Sequence, residues 1–198
     1  MKHFNTSLIS RAKGALGEWL FCRHLAHRLS SDEYRIFRNV YLPFEDGGTT
    51  QVDCIVVSRF GVFVVEVKSF RGWIFGNAHD KRWTQTFFRR HATFMNPLHQ
   101  NYAHTQTIID LIDVPADDVH SVVAFHGSAK FKTEMPDNVM HFADVPEYIR
   151  SFDAPRLSAN KMKLVCLLIE GWNDSVSFLS RLMHVRNLNR RHGRKCNG

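Results

Sequence analysis

The sequence predicts an α/β fold, and three observations carry that expectation. Two apolar runs rich in β-branched and aromatic residues, Val52–Val57 and Val62–Val67, flank Ser58-Arg59-Phe60-Gly61 and read as a β-hairpin with a tight turn. A long helical stretch precedes them, from Ile9 to Leu29, and strand-like and helical segments alternate behind them. No internal repeat or low-complexity linker interrupts the 198 residues, a length at which one domain buries a substantial core. The expected organisation is one domain over residues 1–150 and a C-terminal helical extension over 151–198.

In chain order, the first helix offers Leu16, Trp19, Leu20 and Ala26 as core positions, and it contains Gly14 and Gly17. Glycine costs a helix about 1 kcal/mol per residue, so its use here favours close packing of this helix on a neighbour. The hairpin runs are almost continuously apolar, the pattern of strands covered on both faces. Gly72–Phe75 and Lys81–Gln85 read as short strands. Pro97 opens a helix to Asp113 with Asn96 as its cap. Val119–Phe125 is a strand, His126–Asn138 a loop, Val139–Phe142 the last strand and Asp144–Arg150 a short helix. Two helical patterns follow, Ser158–Glu170 and Asp174–Arg191, which should pack on the sheet or on one another.

Within this apolar hairpin stand Asp53, Glu66 and Lys68. If Ser58 pairs with Gly61 across a two-residue turn, counting back along both strands sets Asp53 opposite Glu66. Lys68 shares the face of Glu66, because side chains alternate along a strand. Two carboxylates across one rung repel; a divalent cation reverses the sign. Two carboxylates joined by the Val67 backbone carbonyl make a hard oxygen donor set suited to Mg²⁺ or Mn²⁺, with Lys68 beside the attacking water. The competing reading is an edge hairpin with a solvated polar face and a weak surface ion pair. The apolar character of both runs and the cost of burying an unpaired charge stand against it. An odd-length turn would place Asp53 on the opposite face.

A wider series of residues accompanies the hairpin: Gly17-Glu18, Gln51-Val52-Asp53, Gly61-Val62-Phe63, Glu66-Val67-Lys68, Gly72-Trp73-Ile74, Trp83 and Asn96-Pro97-Leu98-x-Gln100. In this order it resembles the NERD family, the nuclease-related domain, a branch of the PD-(D/E)xK nuclease superfamily, from about residue 10 to residue 125. The resemblance implies a restriction-endonuclease-like central mixed β-sheet flanked by helices and a Mg²⁺-dependent phosphodiesterase site at the hairpin. Asp53 and Glu66 would bind the metal, Lys68 would orient or deprotonate the water, and Glu18 would be a supporting acid from the first helix. Gln100 would stand near the substrate or the lysine. Cys54 replaces the histidine that many relatives carry after the aspartate, on a side chain directed off the acidic face.

Charge points toward a polyanion. The formal net charge is +7, and residues 186–198 carry Arg186, Arg190, Arg191, Arg194 and Lys195 with no acid. Such residues give salt-dependent, sequence-independent affinity for phosphates. Arg186, Arg190 and Arg191 are therefore candidate nucleic-acid contacts, against the plainer reading of a solvated tail. Phe87-Phe88-Arg89-Arg90 supplies a second basic patch through Arg89 and Arg90, its two phenylalanines being expected in the core. DNA is the expected partner, with RNA left open, and no base-reading module is present. The alternative function is a non-catalytic nucleic-acid-binding or scaffold protein. Four scattered cysteines form no zinc or disulfide pattern. His91, Asn96 and His99 match no metal-ligand spacing. The expected location is cytoplasmic, without membrane association, since the longest apolar stretch is broken by Asp53, Arg59 and Glu66.

Overall fold

The structure, a computed structural model, describes residues 4–43 and 48–174, with side chains from residue 14 onward. Its frame is a five-stranded mixed sheet. The first helix, α1 (Phe4–Arg28), leads into three antiparallel strands, β1 (Tyr34–Pro43), β2 (Thr49–Ser58) and β3 (Gly61–Ser69). Residues 52–57 and 62–67 sit inside β2 and β3, and Ser58 pairs with Gly61 across the two-residue turn. Three further short strands follow, β4 (Gly72–Phe75), β5 (Arg82–Phe87) and β6 (Arg90–Met95), before α2 (Pro97–Ile112). Then come β7 (Val119–His126), β8 (Ala129–Phe131), β9 (Val139–His141), α3 (Val145–Arg150) and a last helix, α4, over residues 159–174.

The large sheet has the order β1-β2-β3-β7-β9, with β3, β7 and β9 parallel. Parallel pairing of β3 with β7 needs a crossover, and the chain between them contains α2. Every residue of β3 from Gly61 to Val67 is buried, as the unbroken apolar run requires. Phe21, Cys22 and Leu25 of α1 pack on one face, against Cys54, Phe63, Val65 and Val67. Ile108 and Ile112 of α2, with Val165 and Ile169 of α4, pack on the other, against Ile55, Val57, Val62 and Val64. The second sheet, β6-β5-β4-β8, is smaller. It is pinned to the first by the fully buried Trp83, whose ring stacks on Phe125 of β7 at 6.1 Å between centroids. Among the described residues, no helix is long and apolar enough to cross a membrane.

Several expectations need correction. Leu16, Trp19 and Leu20 are exposed, as is Ala26, and the core face of α1 is Phe21, Cys22 and Leu25, continued by Leu29 just beyond the helix. The apolar residues of this helix occupy two sides, so periodicity did not single out the buried one. Strand β1 escaped notice because charged and polar residues punctuate it. Phe87 and Phe88 lie outside the core: the segment is the end of β5 and the turn into β6, and Phe88 projects to solvent. The loop expected over His126–Asn138 contains β8, held edge-on by parallel pairing to β4. The helical pattern Asp174–Arg191 falls, beyond its first residue, outside the described residues.

Candidate active site

The β2–β3 ladder is regular from the turn to the Cys54–Val65 pair and stops there. One rung further on stand Asp53 and Glu66, so the two acids are neighbours at the mouth of a splayed hairpin rather than members of a paired rung. On the other side of β2 the ladder with β1 skips the rung of Asn39, whose φ is +49°. The Asp53 carboxylate replaces a lost backbone partner: its Oδ2 accepts a hydrogen bond from the Val67 N–H at 2.8 Å. In an extended strand the N–H and C=O of one residue point to the same side, so the Val67 carbonyl is directed toward Asp53 as well.

Glu66 is 2 % exposed. Its Oε1 takes the Lys68 ammonium at 2.5 Å, while its Oε2 is buried without a hydrogen-bond partner in the described protein. Lys68 donates a second hydrogen bond, to Gln100 Oε1 at 2.9 Å. Burial raises the Asp53 pKa to about 7, and the neighbouring Glu66 adds to the rise. Burial also raises Glu66, with Lys68 offsetting part of it. Glu18 is raised by burial and then by Asp53, which brings the α1 acid within the field of the hairpin. Glu66 contacts the Lys68 ammonium, and Asp53 and Glu18 lie within its field. The arrangement is poised to take up positive charge or protons.

Two helices deliver the remaining groups. Gly17 lies against the end of β3: a Cβ there would press on the Ser69 hydroxyl and come within 3.4 Å of Ser69 Cβ. The missing side chain lets α1 approach the strand and present Glu18. On α2, Asn101 is fully buried and its amide donates to Val64 O, Val122 O and Ser121 Oγ. This clamp sets the neighbouring Gln100 over Lys68. His104, one turn on, places its Nδ1 3.7 Å from Glu66 Oε2 and its Nε2 3.2 Å from Thr50 Oγ1. Burial and Lys68 lower the His104 pKa, so its approach to Glu66 is that of a neutral ring rather than an ion pair. Neither Asn101 nor His104 was singled out from sequence. Their signal is a polar stripe at helical spacing, Gln100, Asn101, His104 and Thr105, on the buried face of an amphipathic helix.

A family model, nuclease-related domain (NERD), matches residues 13–126. An uncharacterized protein of Bacillus anthracis is 36% identical over 159 residues, covering 78% of this chain and 74% of its own length. The chain belongs to the NERD family. Among solved structures, the small subunit of the heterodimeric restriction endonuclease R.BspD6I shares 12% identity over 86% of this chain and 89% of its own, with a TM-score of 0.29. The last likeness is too loose to carry an argument. The NERD match takes in Glu18, Asp53, Glu66, Lys68 and Gln100 and closes at His126, the final residue of β7.

The donor set of this NERD domain fits a hard divalent cation. Asp53 and Glu66 bring carboxylate oxygens to the mouth of the hairpin, one of them orphaned in a buried setting, and oxygen donors of this kind suit Mg²⁺ or Mn²⁺. Among the described residues, no group of three or more His, Cys, Asp or Glu is placed to hold a metal ion, so the protein side chains that would hold one are the Asp53 and Glu66 pair. The remaining candidates lie elsewhere. Arg89 and Arg90 stand at the exposed end of the β5–β6 hairpin, apart from the acids. Arg186, Arg190 and Arg191 fall outside the described residues. Cys54 points into the core beneath α1, off the acidic face. Asn96 caps α2 through Leu98 N and ties the loop at Asn77, Ala78 and Asp80, which is a structural role.

Proposed function

We propose that this NERD domain hydrolyses DNA phosphodiester bonds with Mg²⁺ or Mn²⁺ held by Asp53, Glu66 and the Val67 carbonyl. The observation that carries the reading is the buried Glu66, bonded to Lys68 through one oxygen and left without a partner at the other, beside an Asp53 raised to about 7. Buried carboxylates are kept in such positions at a cost, and clusters of perturbed acids mark functional sites. When bound, the cation would neutralise the phosphate and activate the attacking water.

The residues divide the rest of the work. Lys68 has three N–H donors; two are engaged by Glu66 and Gln100, which leaves one for the attacking water or a phosphate oxygen. Gln100 fixes the direction of that ammonium, Glu18 adds negative charge from α1, and His104 closes the wall behind Glu66. The chain's net charge of +7 favours a polyanionic substrate, with Arg186, Arg190 and Arg191 as additional phosphate contacts and a cytoplasmic location as part of the same reading.

The test is cleavage of supercoiled, linear and single-stranded DNA, and of RNA, with Mg²⁺, Mn²⁺ or EDTA, comparing wild type with Glu66→Ala and Lys68→Ala. Metal-dependent cutting by wild type alone supports the assignment. Salt-sensitive binding with no cutting of any substrate would replace it with a non-catalytic nucleic-acid clamp.

A further inference from the structure

Phe88 occupies the first corner of the two-residue turn between β5 and β6, enclosed by the paired residues Phe87 and Arg90. Its φ is +53°. A hairpin turn with positive φ at that corner ordinarily carries glycine, and a bulky side chain in the left-handed region is strained. The ring is also 86 % exposed, with Phe87 edge-on at 4.5 Å between centroids. Neither burial nor backbone preference accounts for a phenylalanine here. Local strain combined with an exposed aromatic ring points to a contact made outside the chain.

The surroundings indicate what is contacted. Between residues 70 and 95 the chain carries Arg71, Lys81, Arg82, Arg89 and Arg90 against Asp80 alone, a surface complementary to phosphates and unfavourable for an acid-poor partner. Phe87 lines a groove of about 600 Å³ with Leu16, Leu20, Arg71 and His126, and this groove runs beside α1 to Ser69. On the outer face of the same sheet, Trp73 is 49 % exposed with the Lys132 ammonium 4.8 Å over its ring. Exposed aromatic rings interleaved with cations are how proteins hold single strands, because every base offers a π face once unstacked. A regular duplex hides those faces.

We propose that the β5–β6 hairpin tip is a finger for unpaired bases. Phe88 stacks on a base of a single strand or at a strand junction, and Arg89 and Arg90 bind the flanking phosphates. The groove beside Phe87 gives the strand a path along α1 as far as Ser69, and the base contact does not depend on the nuclease reading.

The test is fluorescence anisotropy in EDTA with one labelled DNA sequence as single strand, fork and blunt duplex, for wild type, Phe88→Gly and Phe88→Tyr. Wild type and Phe88→Tyr are expected to prefer single strand and fork. Phe88→Gly should bind both about tenfold more weakly, the value of one stacked base, with duplex affinity unchanged and a melting temperature equal or higher, since glycine relaxes the turn. Unchanged affinity of Phe88→Gly, equal loss on all three forms, a lowered melting temperature, or a wild-type dimer that Phe88→Gly dissociates would each overturn the finger. Separate cleavage assays with Mg²⁺ divide the two readings. Cutting by a protein whose fork preference survives Phe88→Gly removes the finger and leaves the nuclease; a Phe88-dependent preference without cutting does the reverse.

Discussion

The Asp53 carboxylate accepts a hydrogen bond from the Val67 N–H at 2.8 Å, across a strand pair whose backbone ladder has already ended at Cys54–Val65. A side chain thus finishes the work of the ladder. One carboxylate oxygen is thereby fixed at the mouth of the hairpin.

Asp53→Asn tests this directly, because the amide oxygen can still accept from Val67 while the charge is gone. The variant should fold with unchanged or increased stability, since a buried and repelled charge has been removed. Mg²⁺ binding measured by calorimetry should be lost, and cleavage should fall on the order of a hundredfold or more, a loss of several kcal/mol of charge stabilisation. Retained Mg²⁺ affinity would remove Asp53 from the metal site.

The pH dependence of stability has a defined sign. Asp53, Glu66 and Glu18 are all raised above their ordinary values, so at these three groups the folded protein holds more protons than the unfolded chain, while the lowered His104 and His120 act in the opposite direction. The contribution of these acids should therefore fall as pH rises from about 4 through the folded Asp53 value near 7, and level off above it. In EDTA, the melting temperature of wild type relative to Asp53→Asn should be higher at pH 5 than at pH 8. Mg²⁺ should raise the value at pH 8 and leave it nearly unchanged at pH 5, and Asp53→Asn should flatten the profile. A wild-type profile parallel to that of Asp53→Asn in EDTA would contradict the repulsion described here.

Gln100→Ala removes an acceptor from the Lys68 ammonium and leaves the three acids in place. A hydrogen bond to a charged group is worth about 1.5–3 kcal/mol, so kcat should fall about ten- to hundredfold with KM little changed. An unaltered kcat would show that Glu66 alone orients the lysine.

Asn101→Ala addresses the clamp beneath the site. Its amide serves two backbone carbonyls and a serine hydroxyl in a fully buried setting, and each deserted buried acceptor costs about 1–3 kcal/mol. Urea unfolding should show a loss of about 2 kcal/mol or more. A neutral result would mean that α2 is held by Ile108 and Ile112 alone.

The hairpin was legible because its physics is local. Alternation places Glu66 and Lys68 on one face, and the two-residue turn at Ser58–Gly61 sets the register toward Asp53. Asn96 announced its own helix cap, and the strand at Val119 declared itself by composition. Strand β1 did not, because Tyr34–Pro43 carries Arg35, Arg38 and Asn39 within it. Its strand state comes from pairing with β2. The α1 core face was misread because Leu16, Trp19 and Leu20 are as apolar as Phe21, Cys22 and Leu25. Only the sheet beneath decides which are covered.

By itself the sequence determined the α/β class, the acid–acid–lysine hairpin and the basic character of the chain, since these follow from strand alternation, turn length and composition. The tertiary structure decided what reaches that hairpin. Gln100 and His104 lie 32 and 36 residues beyond Lys68 and arrive only because α2 crosses the sheet under the hold of Asn101. Glu18 arrives because Gly17 lets α1 close on Ser69. The end of the β2–β3 ladder at Cys54–Val65 and the skipped Asn39 rung of β1 leave Asp53 unpaired on both sides, a feature of the assembled sheet. Local pattern specifies what each strand offers; long-range packing selects which groups meet.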